Sequence, residues 1–356
     1  MHVIPAVFKG RRPGIVTKEK REEIRGKTRD KRKNKREQRK RKRRKMKKET
    51  MQKTAVVWFL AMICCLLWGS AFPCVKIGYD LFRIEASDTA SQIVFAGNRF
   101  FLAGILALLF GSAMQKRWLV PKKKDLPKIG VLSVFQTIIQ YLFFYVGLAH
   151  TTGVKSSIIE AANVFIAILI ASLLFHQEKL TRQKMLGCAI GFAGVVLINL
   201  GGGGMDMSFH WNGEFFILLS TIAYAVSSVF IKRYGQDADP VLLSGWQFCL
   251  GGLVMTIVGK IMGGTLIFHE LACWPLLLYM AFISSVAYSL WAILLKYNPV
   301  SKVTVFGFMN PVFGVILSAV LLKENGQAFS LRGLTSLVLV CIGIYMVNRC
   351  ESAEEK

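Results

Sequence analysis

The chain has 356 residues, 53% of them hydrophobic and 19% charged, with a formal net charge of +25. That hydrophobic share over this length excludes an ordinary soluble domain. The charge is concentrated at one end: residues 1–53 hold 24 Lys/Arg against 6 Asp/Glu, a net of +18, and the other 303 residues hold 22 against 15, a net of +7.

Residues 1–53 read as a basic tail, disordered on its own, with runs such as Lys31-Arg32-Lys33 and Arg39-Lys40-Arg41-Lys42-Arg43-Arg44-Lys45. Three readings of it compete. It can bind the anionic cytoplasmic leaflet of a membrane, at ~1 kcal/mol per basic residue near the surface. It can bind RNA electrostatically, but no interleaved aromatic residues offer base stacking, so no specific nucleic-acid partner is expected. Or the functional chain starts at Met46 or Met51, just before the first apolar stretch. A cleavable signal peptide is not expected behind so many charges.

From Ala55 onward, apolar stretches alternate with short polar breaks, each near the roughly 20 residues a bilayer-spanning helix needs. Ten spans are predicted: 55–79, 90–114, 127–148, 153–175, 182–200, 213–233, 239–262, 272–296, 300–322 and 330–348. Spans 3 and 4 are divided only by Thr151-Thr152-Gly153, and spans 8 and 9 only by Asn298-Pro299, both of them turn signals. The Gly201–Gly204 run suits a connector between two halves. The domains expected are the tail 1–53, a first five-helix unit 54–200, a connector 201–212, a second unit 213–349 and a C-terminal tail 350–356.

The halves repeat each other. At an offset of 148, Gly97, Phe100, Leu102 and Gly104 fall on Gly245, Phe248, Leu250 and Gly252. At 146, Val154, Ile170, Ser172, Glu178 and Gly187 fall on Val300, Ile316, Ser318, Glu324 and Gly333; at 156, Trp68 and Lys76 fall on Tyr224 and Lys232. Five spans per copy is odd, so the second copy enters the membrane from the opposite side, which is how secondary transporters are built. Basic residues favour the cytoplasmic side. Lys116, Arg117, Lys122, Lys123, Lys124 and Lys128 between spans 2 and 3 place both termini there. Lys179, Arg182 and Lys184, with Lys232 and Arg233, agree; Lys323 and Arg332 fit poorly.

Trp68-Gly69-Ser70-Ala71-Phe72-Pro73-Cys74-Val75-Lys76 resembles the first-helix signature of the EamA family in the drug/metabolite transporter superfamily. Gly97-Asn98-Arg99-Phe100-Phe101 resembles its second-helix pattern. Asn310-Pro311-Val312-Phe313 leading to Leu322-Lys323-Glu324 looks like its element of a proline, a helix and then a glutamate. The first copy departs with Phe165 where the second has Pro311, and the second with Gln247 where the first has Arg99. The resemblance covers roughly residues 55–348. It implies an all-α integral membrane protein, ten transmembrane helices in two inverted five-helix repeats around a central cavity. It also implies export of amino-acid-like or drug-like metabolites across the plasma (inner) membrane, without a cofactor. An importer or facilitator of sugars or nucleotide-linked substrates, and a non-transporting scaffold acting through its tail, are the alternatives. Oligomeric state is left open by the sequence.

Ionisable groups inside a span are costly and point to function. Arg99 lies deep in span 2, either as a substrate ligand or as a brace between helices. Glu160 lies in span 4, and a carboxyl group in a low-dielectric cavity can take up and release a proton near neutral pH, so it is the proton-coupling candidate. It could instead pair with Arg99 or Lys155, or sit at the outer mouth. Lys76 and Lys232 are nearer helix ends and are read as snorkelling. A substrate cavity at mid-membrane would further draw on Trp68, Ser70, Gln136, Gln140, Tyr141, Tyr145, Asn163, Tyr224, Ser227, Tyr288, Trp291 and Asn310. Gln136 and Gln140 share a helical face, as do Glu160 and Asn163; interhelical bonding is the alternative use of all of them. Pro73 and Pro311 are expected to remove helix hydrogen bonds and mark hinges.

The eight cysteines show no CxxC and are read as small embedded hydrophobes, and the five histidines lack ligand spacing. His269-Glu270 continues as Leu271-Ala272-Cys273, so there is no HExxH, and GxSxG is absent. Neither an enzyme nor a metal site is expected.

Overall fold

The computed structural model describes residues 49–174, 180–199, 210–235, 237–298, 303 and 305–354. The basic tail through residue 48, Glu178, the Gly201–Gly204 connector, Pro299 and Val300 lie outside the described residues, as does the side chain of Lys232.

The described chain is helical, with no strand among the described residues. Helix α1 (Thr54–Phe82) leads to α2 (Thr89–Gln115). Then α3 (Leu126–Leu132) passes through a π-helical stretch, Ser133–Ile139, into α4 (Gln140–Ala149). Helices α5 (Gly153–Glu160), α6 (Asn163–Leu169) and α7 (Arg182–Asn199) follow. A π turn at Trp211–Phe215 opens α8 (Phe216–Tyr234), followed by α9 (Pro240–Ile261) and α10 (Cys273–Tyr297). The last are α11 (Met309–Leu321), the short α12 (Asn325–Ala328) and α13 (Leu331–Glu354).

Among the described residues, seven helices can cross a membrane by length and composition: Thr54–Phe82, Thr89–Gln115, Lys123–Ala149, Gly153–Leu174, Trp211–Ile231, Pro240–Ile261 and Cys273–Trp291. Phe306–Leu321 and Leu331–Val347 are shorter apolar helices. The start of α7, Arg182-Gln183-Lys184, is polar, and this helix is not among the seven.

Local chemistry sets the helix starts. Asp88 accepts the Ser91 N–H at 2.9 Å ahead of α2, and Asp239 accepts the Val241 N–H at 3.0 Å ahead of α9, where Pro240 fills a first-turn position needing no donor. Helices α2 and α9, which carry the repeated glycines, pack most extensively on each other. Their backbones meet closely: a Cβ on Gly104 would stand 2.5 Å from the Cys249 N and 2.7 Å from the Gly245 O. Helices α7 and α13 form the next largest contact, and there a Cβ on Gly343 would stand 2.7 Å from the Gly187 O. Small residues allow such approach where lipid offers no hydrophobic drive between helices.

Span 4 winds more tightly at Ala161-Ala162, where the Ala162 N–H bonds to the Ile159 O and the Val164 N–H to the Ala161 O, each three residues back. This tighter winding ends α5 at Glu160 and starts α6 at Asn163, and the three-residue spacing through it keeps the two on one side of the chain. Pro311 is the third residue of α11 and lies inside the longer apolar helix Phe306–Leu321, because α11 continues directly from the 3-10 helix Val305–Phe308. Pro73 likewise lies inside a helix, α1, which runs through it.

Candidate functional site

Arg99 projects from α2 into the bundle and is 2% exposed. Its Nε donates to the Met280 O at 3.2 Å, one terminal nitrogen to the Tyr145 hydroxyl at 2.8 Å and the other to the Ser284 Oγ at 3.2 Å. Its guanidinium lies 4.8 Å from the centre of the Phe100 ring. Three of its donors are thus held by α4 and α10, and the Tyr79 hydroxyl adds α1 by donating to the Tyr145 O at 2.7 Å. Arg99 itself braces three helices, and Tyr79 ties α1 to one of them.

Gln247, which the duplication aligns with Arg99, contacts the other segment through different atoms. Its carbonyl accepts the Ser133 hydroxyl at 3.2 Å, and its side-chain amide donates to the Gln136 Oε1. At an offset of 147, Ser133 falls on Met280 and Thr137 on Ser284. Each member of the Arg99–Gln247 pair therefore reaches the same stretch of the opposite copy.

An aromatic cluster lies beside Arg99. Trp68 of α1 stands edge-on to Tyr288 at 5.5 Å and to Trp291 at 5.2 Å, both on α10. The Tyr288 and Tyr141 hydroxyls are 3.3 Å apart, and Tyr141 lies over Phe100 with centroids 3.9 Å apart. Phe248 meets Tyr288 edge-on at 5.1 Å. The Trp68 Nε1 is buried and has no partner among the described residues, which leaves a donor free for a ligand. Glu160, partly buried at the end of α5, lies within the electrostatic reach of Arg99, Tyr141, Tyr224 and Tyr288. Its carboxylate makes no hydrogen bond to the described residues.

The structure thus brings together eight of the predicted residues: Trp68, Arg99, Tyr141, Tyr145, Glu160, Tyr224, Tyr288 and Trp291. Others have their polar atoms engaged by the protein. The Ser70 Oγ donates to the Leu67 O at 2.8 Å and lies 3.0 Å from the Tyr279 hydroxyl. The Ser227 Oγ donates to the Tyr224 O of its own helix at 2.7 Å, and Gln136 is paired with Gln247. Gln140 is buried with its Oε1 unpartnered, and so is the Oδ1 of Asn310 in the first turn of α11. Asn163 is half-buried at the start of α6. The seven cysteines whose side chains are described are free thiols, and the described residues contain no cluster able to hold a metal ion.

Sequence reasoning missed a second polar centre. Lys155 does not pair with Glu160: its Nζ lies 2.9 Å from the Glu214 Oε1, with the two side chains only 2% and 1% exposed. Glu214 also accepts the Thr151 hydroxyl at 2.8 Å and the His210 N–H at 2.7 Å. Glu324 accepts the Gly153 and Val154 N–H groups at 3.1 and 2.9 Å. Burial pushes the Glu324 carboxyl above the usual carboxylate range, opposed by those two hydrogen bonds and by the nearby Lys76. Glu214 was legible as the one acidic residue in span 6, by the same rule that singled out Glu160. A groove of about 500 Å3 opens nearby, lined in part by Thr89, Phe143, Val146, His150 and Asn212, and includes none of the predicted site residues.

Residues 56–200 and 211–349 each match the EamA-like transporter family. An uncharacterized transporter of Archaeoglobus fulgidus is 27% identical, the match covering 82% of this chain and 98% of that protein. A probable amino-acid metabolite efflux pump of Salmonella typhimurium is 25% identical, covering 81% and 93%. A solved crystal structure superposes with a TM-score of 0.58 at 16% identity, over 85% of this chain and 99% of that one. At that identity the likeness shows the fold alone.

Proposed function

This chain belongs to the EamA-like transporter family, a family of membrane transporters rather than enzymes, and we propose that it exports amino-acid-like or drug-like metabolites by alternating access. The observation that carries this reading is the position of Glu160. The carboxylate, unbonded by the described protein, lies within the electrostatic reach of Tyr141 of the first family-matched segment and of Tyr224 and Tyr288 of the second, and Trp68 and Trp291 pack in the same cluster through Tyr288 and each other. One carboxylate beside aromatic rings suits an ammonium group attached to an apolar or aromatic body. The same carboxylate suits a proton taken up and released in each cycle.

The proposed architecture is ten transmembrane helices in two inverted repeats, 54–200 and 213–349, joined by 201–212. The placement of Arg99 and Gln247 supports it, because each reaches, in the other family-matched segment, the stretch that aligns with its counterpart's partners. With the basic residues between spans 2 and 3 on the cytoplasmic side, both termini lie in the cytoplasm, the protein sits in the plasma membrane, and residues 1–53 meet its anionic lipids.

A metabolite-export screen tests the function. Cells overexpressing the chain should accumulate one class of amine-bearing metabolite in the medium, and deleted cells should retain it. Equal profiles across all metabolite classes would refute export.

A further inference from the structure

We propose that α5 is a lever that couples the ligand site to closure of one mouth of the bundle, with Glu324 as the latch and Glu160 as the other end. The inference rests on the transporter reading and adds a moving part to it.

Helix α5 has eight residues and a boundary at each end. The turn at His150–Thr152 precedes it and the tighter winding at Ala161-Ala162 follows it. Gly153 through Ile159 are all buried, with Lys155, Ser156 and Ser157 among them. Eight residues at 1.5 Å each make a rod of about 12 Å without an internal break. A displacement at one end must therefore appear at the other.

The first end is clamped. Glu324 binds the Gly153 and Val154 N–H groups, and the Thr152 hydroxyl donates to the Gln327 Oε1. The Lys155–Glu214 pair fixes the first turn of α5 to the segment ahead of α8. A Cβ on Gly153 would stand 2.5 Å from the Ser318 Oγ, so α5 also lies tightly on α11. These contacts join the turn after α4, the start of α8 and the end of α11 at one face of the bundle. The second end presents Glu160 to the aromatic cluster.

The two anions differ in a way that assigns their roles. The Glu214 side chain is sealed from solvent with its lysine and serves as the anchor. Glu324 is only partly buried, so water can replace the bonds it accepts. Occupancy or charge at Glu160 then shifts the strength of the Glu324 latch, and the coupling runs equally in reverse.

Hydrogen exchange of the full chain in lipid nanodiscs, read peptide by peptide, tests the lever without relying on flux. Glu324→Gln should speed exchange at Gly153–Lys155 by about tenfold, the loss of one charge-assisted bond, and should also speed it at Ala161–Val164. Glu160→Gln should change exchange at Gly153 and Val154, whereas Glu270→Gln, an exposed acid between α9 and α10, should change neither. Gln327→Ala, a milder loss at the same clamp, should reproduce the Glu324→Gln pattern at smaller size. A change confined to the first turn of α5 in both latch variants, with Gly153 and Val154 unmoved by Glu160→Gln, would make Glu324 a static cap and overturn the lever. Coupled exchange in a chain that transports nothing would keep the lever and refute the transport reading. Transport without coupled exchange would do the reverse.

Discussion

The Nζ of Lys155 and the Oε1 of Glu214 meet at 2.9 Å in a pocket that leaves both side chains almost unexposed. Removing one partner leaves an uncompensated buried charge, which costs about 3–5 kcal/mol, whereas replacing both costs far less. Lys155→Met and Glu214→Leu should each lower the unfolding temperature sharply, and the double variant should recover most of the loss. Additive losses in a double-mutant cycle would show that the pair is not coupled.

Arg99 should act chiefly as a brace, since three of its donors are held by Met280, Tyr145 and Ser284. Arg99→Lys cannot reproduce a planar fork reaching three acceptors, so it should destabilise by about 1.5 kcal/mol or more despite keeping the charge. Thermal unfolding in detergent reads this directly. Full stability in Arg99→Lys would leave charge alone as the role of Arg99.

Two glycines should respond oppositely to the same change. Gly104→Ala drives a methyl into the backbone of α9 and should cost about 1–3 kcal/mol. Gly130→Ala in α3 meets nothing within 4 Å and should be neutral or stabilising by up to about 1 kcal/mol. Equal effects would mean that the α2–α9 contact is looser than described.

The pH response of the latch has a definite sign. Burial raises the Glu324 carboxyl, and Lys76 works against that rise. The ionised latch is therefore complete only above the raised value and is lost as pH falls through it. Lys76→Met removes the opposing charge, so loosening should begin at a higher pH. Exchange at Gly153 and Val154, corrected for the intrinsic pH dependence of exchange, provides the titration. A midpoint that stays or falls in Lys76→Met would contradict the sign.

Much of the architecture was legible in the sequence because hydropathy, turn residues and repeat spacing are local signals. The duplication foretold that Gly97 and Gly104 would have counterparts in Gly245 and Gly252, and these four meet at the α2–α9 contact. The tighter winding after Glu160 was not legible, since Ala161-Ala162 is ordinary helix-forming sequence and only tertiary packing produces it there. Pairing was also beyond reach. Periodicity placed Lys155 and Glu160 in one span but could not show that Glu214, 59 residues on, would take the lysine. The role of Glu324 was visible only as part of a family pattern, because its partners are backbone groups of another span.

The most direct test of the account is gradient-driven efflux by proteoliposomes carrying the wild-type chain or Glu160→Gln, with the exported metabolite from the screen as cargo. The wild-type protein should drive efflux against a concentration gradient when a proton gradient is imposed, and an uncoupler should collapse it. Glu160→Gln should fold normally yet lose both the driven flux and its dependence on pH. Driven efflux that survives in Glu160→Gln with its pH dependence unchanged would contradict the assignment of Glu160 as the centre of the transport site.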